Sequence, residues 1–388
     1  MVAAMKSDTP SPLRYALAGL IAMAAAMGIG RFVYTPILPG MMEAVGLSAA
    51  DAGLIASANY LGYLVGAMLA AGGWGQGRER VVMLAALAAS AILAAAMALT
   101  VNLAAFLTIR FLAGAASAFV MVFLSVIVFS HLAAAGRNGL QAAHFGGVGV
   151  GIAISALMTG ALALSGAEWR ESWLWAGAIS AAGFLAVLPL VKEGPLGAGM
   201  VRREPALPKS AALKKLIVGY GLFGFGYVIT ATFLVAIVRQ GEGGRLFESG
   251  VWLVTGLAGA PSVWLWGWVV RRRGLAAAFA IGCSVEAVGV VGSVSLGGYA
   301  GPLIGAVLVG GTFIAVTAFG LQAARLLAGD APRRALALMT AAFGLGQILG
   351  PIVAGYVADW TGTFFVPSLG AAIVLLAAGA IVWNGRKA

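Results

Sequence analysis

The sequence predicts an all-α membrane protein of twelve transmembrane helices in two six-helix halves related by a parallel pseudo-twofold repeat. Three observations predict it: unbroken apolar runs of spanning length, basic residues gathered on alternate connections, and a glycine pattern that recurs half a chain apart.

The chain is 61% hydrophobic and 10% charged, with a mean hydropathy of +1.00. A water-soluble domain of that composition would expose large apolar patches, so lipid is the solvent for most of it. A helix crosses about 30 Å of hydrocarbon with roughly 20 apolar residues, which leaves room for about a dozen spans and none for a soluble catalytic domain. Spanning strands would alternate over roughly 10 residues. The runs here are continuous and rich in Ala, Leu, Gly and Val, so helices are the consistent reading. The one cysteine, Cys283, lies inside an apolar run and offers neither a disulfide nor a thiolate metal site. The first apolar run is too long for a signal peptide and lacks a clean cleavage site, so it reads as a retained helix.

Taken in order, the helices of the first half are expected near 14–38, 51–72, 81–101, 104–132, 141–164 and 172–191. Those of the second are expected near 213–238, 249–270, 275–296, 301–326, 335–357 and 364–384. The polar segment 192–212, with three prolines, reads as a cytoplasmic linker between a half at 1–191 and a half at 213–388.

Connections on one side of these spans hold 18 basic and 5 acidic residues, and those on the other hold 3 and 7. The positive-inside rule then makes both termini and the linker cytoplasmic, in a multi-pass inner-membrane protein. The net charge of +11 is therefore a topology signal and not a nucleic-acid footprint.

A slide of 196 residues places Gly28 and Gly30 of the first helix on Gly224 and Gly226 of the seventh, with Arg31 falling on Tyr227. A nearly equal slide lays the glycine-rich fifth helix, from Phe145, over the eleventh, from Phe343. Both halves then have the same helix order and orientation, and a substrate site is expected between them near the midplane.

In the segments 28–39, 47–67 and 344–359 the chain resembles the major facilitator superfamily, and within it the YbfB/YjiJ-type branch. The resemblance implies the major facilitator fold, with alternating access and proton coupling, and a central cavity lined by the first and fourth helices. The superfamily's loop motif after the second helix survives as Gly73 and Arg78, with Gly77 in the place of the acid. Its counterpart keeps Gly267, Arg272 and Gly274, with Arg271 in that place. Arg110 and Gly114 match a fourth-helix R-x-x-x-G motif. The G-x-x-x-G-P pattern of drug antiporters lies on the eleventh helix, as Gly346, Gly350 and Pro351, and not on the fifth.

Charge deep in a membrane is unfavourable, so Arg31, Arg110 and Glu286 are functional candidates by default. Arg31 precedes Pro39 by eight residues and Arg110 follows Asn102 by eight. Both guanidiniums are expected roughly 12 Å below the external face. Converging there with no acid nearby, they would form a fork for carboxylate, sulfonate or phosphate. The structural alternatives are that Arg110 holds helix ends together or tunes proton coupling, and that Arg31 snorkels outward. Helical spacing adds Tyr34 on the face of Arg31, Asn59 and Tyr63 as an i, i+4 pair, Tyr227 and Thr230 on the seventh helix, and Gln347 two turns after Thr340. Each of these reads equally as an interhelical hydrogen-bonding group.

Glu286, in the middle of the ninth helix, is a proton-coupling candidate, with a structural hydrogen-bonded role as the alternative. Ser48 and Asp51 form a capping-box pattern. His131 and His144 read as interfacial residues, and Trp169, Trp173 and Trp360 as interface anchors. The function expected is a secondary active transporter of a small organic anion, with an exporter of cationic or neutral amphiphiles as the second reading. The expected partners are the substrate, the lipid bilayer and a proton, with no cofactor, no metal and a monomeric unit. A membrane enzyme would show clustered His, Asp or Glu, and a channel would show rings of like residues. The sequence has neither.

Overall fold

A computed structural model describes residues 11–193, 204–241 and 243–385. Part of the expected linker, and Lys6, Arg202, Arg203, Arg386 and Lys387 of the basic connections, lie outside the described residues. Within them every regular element is a helix.

The first span runs as α1 (Pro12–Met23), a π-helical segment (Ala24–Ile29) and α2 (Tyr34–Val45). There follow α3 (Ala49–Ala70), α4 (Glu79–Ala96), α5 (Leu103–Ala134), α6 (Gln141–Leu164) and α7 (Trp169–Val187). The last six spans are α8 (Ala211–Arg239), the pair α9 (Gly244–Gly259) and α10 (Ser262–Arg273), α11 (Leu275–Ser295), α12 (Ala300–Leu327), α13 (Pro332–Thr361) and α14 (Phe365–Gly385). Ten of these spans are long and apolar enough to cross a bilayer, and the α9–α10 pair makes an eleventh. The remaining span, α7, has 19 residues and carries Arg170 and Glu171 in its first turn, which lower its apolarity.

Two expected helices differ in shape. The span expected at 249–270 is broken between α9 and α10 and bent by 46°. Pro261 at the break has no N–H to give to the helix. The first span extends past 38 to Val45, with Pro39 inside α2.

The helices pair in the same way in each set of six. α1 packs on α6, and α8 on α13; α3 packs on α5, and α9 on α12; α4 packs on α7, and α11 on α14. Between the sets, α3 meets α13 and α6 meets α9. Glycine makes these approaches close: a Cβ on Gly151 would stand 2.2 Å from the carbonyl oxygen of Ala24, and one on Gly346 would stand 2.1 Å from that of Gly221. In lipid, packing of this kind replaces the hydrophobic drive between helices.

The Ser48–Asp51 capping box forms as expected at the start of α3. Trp360 is exposed, but Trp169 and Trp173 are buried, and are not interface anchors. Trp169 packs edge-on against Phe106, and the Trp173 indole N–H donates to the Met41 sulfur. His144 is also enclosed, its Nε2 3.0 Å from the Ser125 hydroxyl, while His131 stacks on Tyr15.

Candidate functional site

The break in the first span builds the site. Gly28 lies so close to α6 that a Cβ there would stand 2.5 Å from the Cα of Gly151. Across it the helix widens: Gly30 N–H reaches back five residues to the Ala25 carbonyl (2.8 Å), and Phe32 N–H to that of Met27 (3.2 Å). Such π-helical turns leave backbone groups out of the regular ladder. The carbonyls of Gly30 and Arg31 receive no backbone N–H.

Arg110 on α5 fills that gap. Its Nη1 donates to the Gly30 carbonyl (3.0 Å) and its Nη2 to that of Arg31 (2.9 Å). The guanidinium also lies 5.3 Å from the ring centre of Tyr34 and 5.7 Å from that of Trp173. Asn59 secures Arg110 in turn, donating from Nδ2 to its carbonyl at 2.9 Å.

Arg31 points the other way, into a cavity of about 100 Å³ between the first six spans and the last six. It is 4% exposed and no carboxylate pairs with it among the described residues. Its guanidinium carbon lies 4.5 Å from the ring centres of both Tyr60 and Tyr63, which offset part of the charge. Nη2 donates to Gln347 Oε1 at 3.0 Å, and Gln347 Nε2 donates to the Tyr227 hydroxyl. Nε has no partner.

Of the residues singled out in the sequence, Arg31, Tyr63, Tyr227 and Gln347 share this cavity, with Thr340 further along its wall. Arg110, Tyr34, Asn59 and Thr230 do not line it. The two-arginine fork is therefore not formed, because Arg110 is taken up by the carbonyls that the broken helix frees. Tyr34 leaves the face of Arg31 for the same reason: the turn between them resets the helical phase, and its hydroxyl donates to the Ala52 carbonyl at 2.9 Å. The Thr230 hydroxyl is buried without a partner. Glu286 is fully buried on α11, away from the cavity wall, with the Thr312 hydroxyl of α12 as its polar neighbour.

Sequence reasoning missed the cavity's aromatic wall, formed chiefly by Phe32, Phe313, Phe343, Tyr220 and Phe145. A phenylalanine in an apolar run gives no sign of whether it faces lipid or an interior. Tyr60 was open to detection, because it lies in the same helical segment as Tyr63.

The cavity extends from Arg31 toward the Lys/Arg-rich face, along Met27 and Met23. The other end is sealed. Thr35 donates to the Ala231 carbonyl (2.6 Å), and Ser57 to that of Ile348 (2.7 Å). The Asp359 carboxylate accepts from the N–H groups of Ala49 and Ala50, both at 2.9 Å, at the start of α3. Arg239 bridges Glu43 of the first span (2.6 Å) and Glu248 of α9. Among the described residues, every side-chain hydrogen bond between the first six and last six spans lies at the level of Arg31 or on this acidic side.

A family model described as "Uncharacterised MFS-type transporter YbfB" matches residues 23–383. The chain is also similar to two solved transporters. The nucleoside transporter NupG is 16% identical, with a TM-score of 0.72 over 97% of this chain and 99% of that one. A bacterial homologue of the human lysosomal transporter Spinster, in an inward-facing and occupied conformation, is 14% identical, with a TM-score of 0.73 over 97% and 98%. At that identity the likeness concerns the fold. No curated protein matches the chain.

Proposed function

Because the chain belongs to the YbfB family of major facilitator transporters, we propose that it is a secondary active transporter that carries a small organic anion by alternating access, coupled to protons. The moving bodies are residues 1–191 and 213–388, joined by 192–212, and the protein works as a monomer. The Lys/Arg-rich face is cytoplasmic, with both termini, in the inner membrane. On that orientation the cavity faces the cytoplasm and the links around Thr35, Asp359 and Arg239 close the outside.

The observation that carries the anion reading is Arg31: a buried guanidinium, facing a cavity, with no acid beside it among the described residues. A buried charge without a counter-charge is unfavourable, and a bound carboxylate supplies the missing partner. Glu286, the one carboxyl deep in the spans, is the candidate for carrying the proton.

A thermal-stability screen in detergent tests the anion reading, with small organic anions set against lipophilic cations on the wild type and on Arg31→Gln. A ligand stabilises the state that binds it. Anions are expected to raise the melting temperature of the wild type and not of the variant. Stabilisation of both forms by cations, with no response to anions, would overturn the reading in favour of an exporter of amphiphilic cations.

A further inference from the structure

Resting on the anion reading above, we propose that the substrate is a compact aromatic monocarboxylate, one negative charge on a single flat ring. The charge count follows from the arginines. Arg110 has both terminal nitrogens on backbone carbonyls, so among the described residues Arg31 alone offers a cation to the cavity. A second negative charge would enter the apolar chamber unpaired, which is strongly unfavourable.

The ring follows from the wall. Tyr227 lies nearly parallel to Phe313 (10° between planes, centres 5.9 Å apart) and to Phe343 (11°, 5.7 Å). Tyr220 continues the series, stacked on Phe343 at 4.7 Å. Aromatic pairs favour offset-stacked arrangements, and rings that share one orientation favour a flat guest over a puckered one. A polyhydroxylated guest finds few partners beyond the Tyr63 and Thr340 hydroxyls. The Thr317 hydroxyl already donates to the Phe313 carbonyl (2.7 Å), and Gln347 spans Arg31 and Tyr227. The size sets a ceiling of one ring: the cavity holds about 100 Å³, less than the roughly 150 Å³ of an apolar cavity that accommodates benzene, so even a single ring requires the chamber to widen and two rings do not fit.

The test is calorimetric binding to the purified full chain, with benzoate as probe against cyclohexanecarboxylate, acetate, phthalate and benzyl alcohol. Benzoate is expected to bind, with no detectable binding of acetate, phthalate or benzyl alcohol. Cyclohexanecarboxylate is expected to bind about three- to tenfold more weakly than benzoate, the scale of lost ring–ring contacts. Phe343→Leu, which keeps Arg31, is expected to erase the preference for benzoate over cyclohexanecarboxylate. Equal or tighter binding of cyclohexanecarboxylate, acetate or phthalate, abolished by Arg31→Gln, overturns the aromatic monocarboxylate and leaves the anion reading standing. An unchanged preference in Phe343→Leu also overturns the aromatic assignment, whether or not Arg31→Gln folds. Failure of every anion to bind the wild type overturns both readings.

Discussion

The Nη2 of Arg110 donates to the carbonyl oxygen of Arg31 at 2.9 Å, so one deep arginine holds the backbone of the other in place. The two differ in what they satisfy. Arg110 completes a broken helix, while the Arg31 side chain is left facing the cavity.

Arg110→Gln is therefore expected to be a folding defect first. It leaves the Gly30 and Arg31 carbonyls without donors, and bonds to a charged group contribute roughly 1.5–3 kcal/mol each. A fluorescence-detected melting curve in detergent should fall by several degrees, whereas Arg31→Gln should melt within a degree or two of the wild type. An Arg110→Gln protein that melts like the wild type would contradict the clamp.

Gly114→Ala should disrupt the contact between α3 and α5, because its Cβ would stand 1.9 Å from the Asn59 carbonyl oxygen. Overpacking of this kind costs about 1–3 kcal/mol. Gly250→Ala, where a Cβ meets nothing within 4 Å, is the matched control. Expression and melting temperature should drop for the first and hold for the second.

Arg239→Gln removes the bridge between Glu43 and Glu248 and leaves the enclosed Glu248 carboxylate without its cation. Loss of one partner of a buried pair is costly for the state that contains it. Hydrogen exchange is expected to rise around residues 35–52 and 231–248, the sealed end, and to stay unchanged around 12–23. Exchange unchanged at the sealed end would mean that Arg239 does not hold the gate.

Glu286→Gln preserves the size of the side chain and removes its proton chemistry. In proteoliposomes, counterflow exchange of substrate is expected to persist while accumulation driven by a pH gradient is lost. Accumulation at the wild-type level would leave Glu286 with a purely structural role.

How far the sequence could be read depended on whether a feature is local. The Ser48–Asp51 capping box was legible because it spans a single turn. That Arg31 and Arg110 meet at one level was legible from their spacing along the helices, whereas the depth counted from Pro39 was not, because the first span is broken and runs on to Val45. The face of Tyr34 was not, since its phase relative to Arg31 depends on the turn at residues 30–33 that separates the π-helical segment from α2. The same limit concealed the burial of Trp173 and the aromatic wall at Phe313 and Phe343, whose partners lie on distant spans.

The sequence by itself determined the helical membrane class, the succession of spans, the membership in a transporter family and the short list of deep charges. Apolar length, loop charge and solvation cost are properties of a segment in its solvent, independent of its neighbours. Only the tertiary structure decided which arginine faces the cavity and which is taken up by backbone. That choice rests on which carbonyls the broken first span leaves free, and on which side chain from another helix stands within 3.0 Å of them.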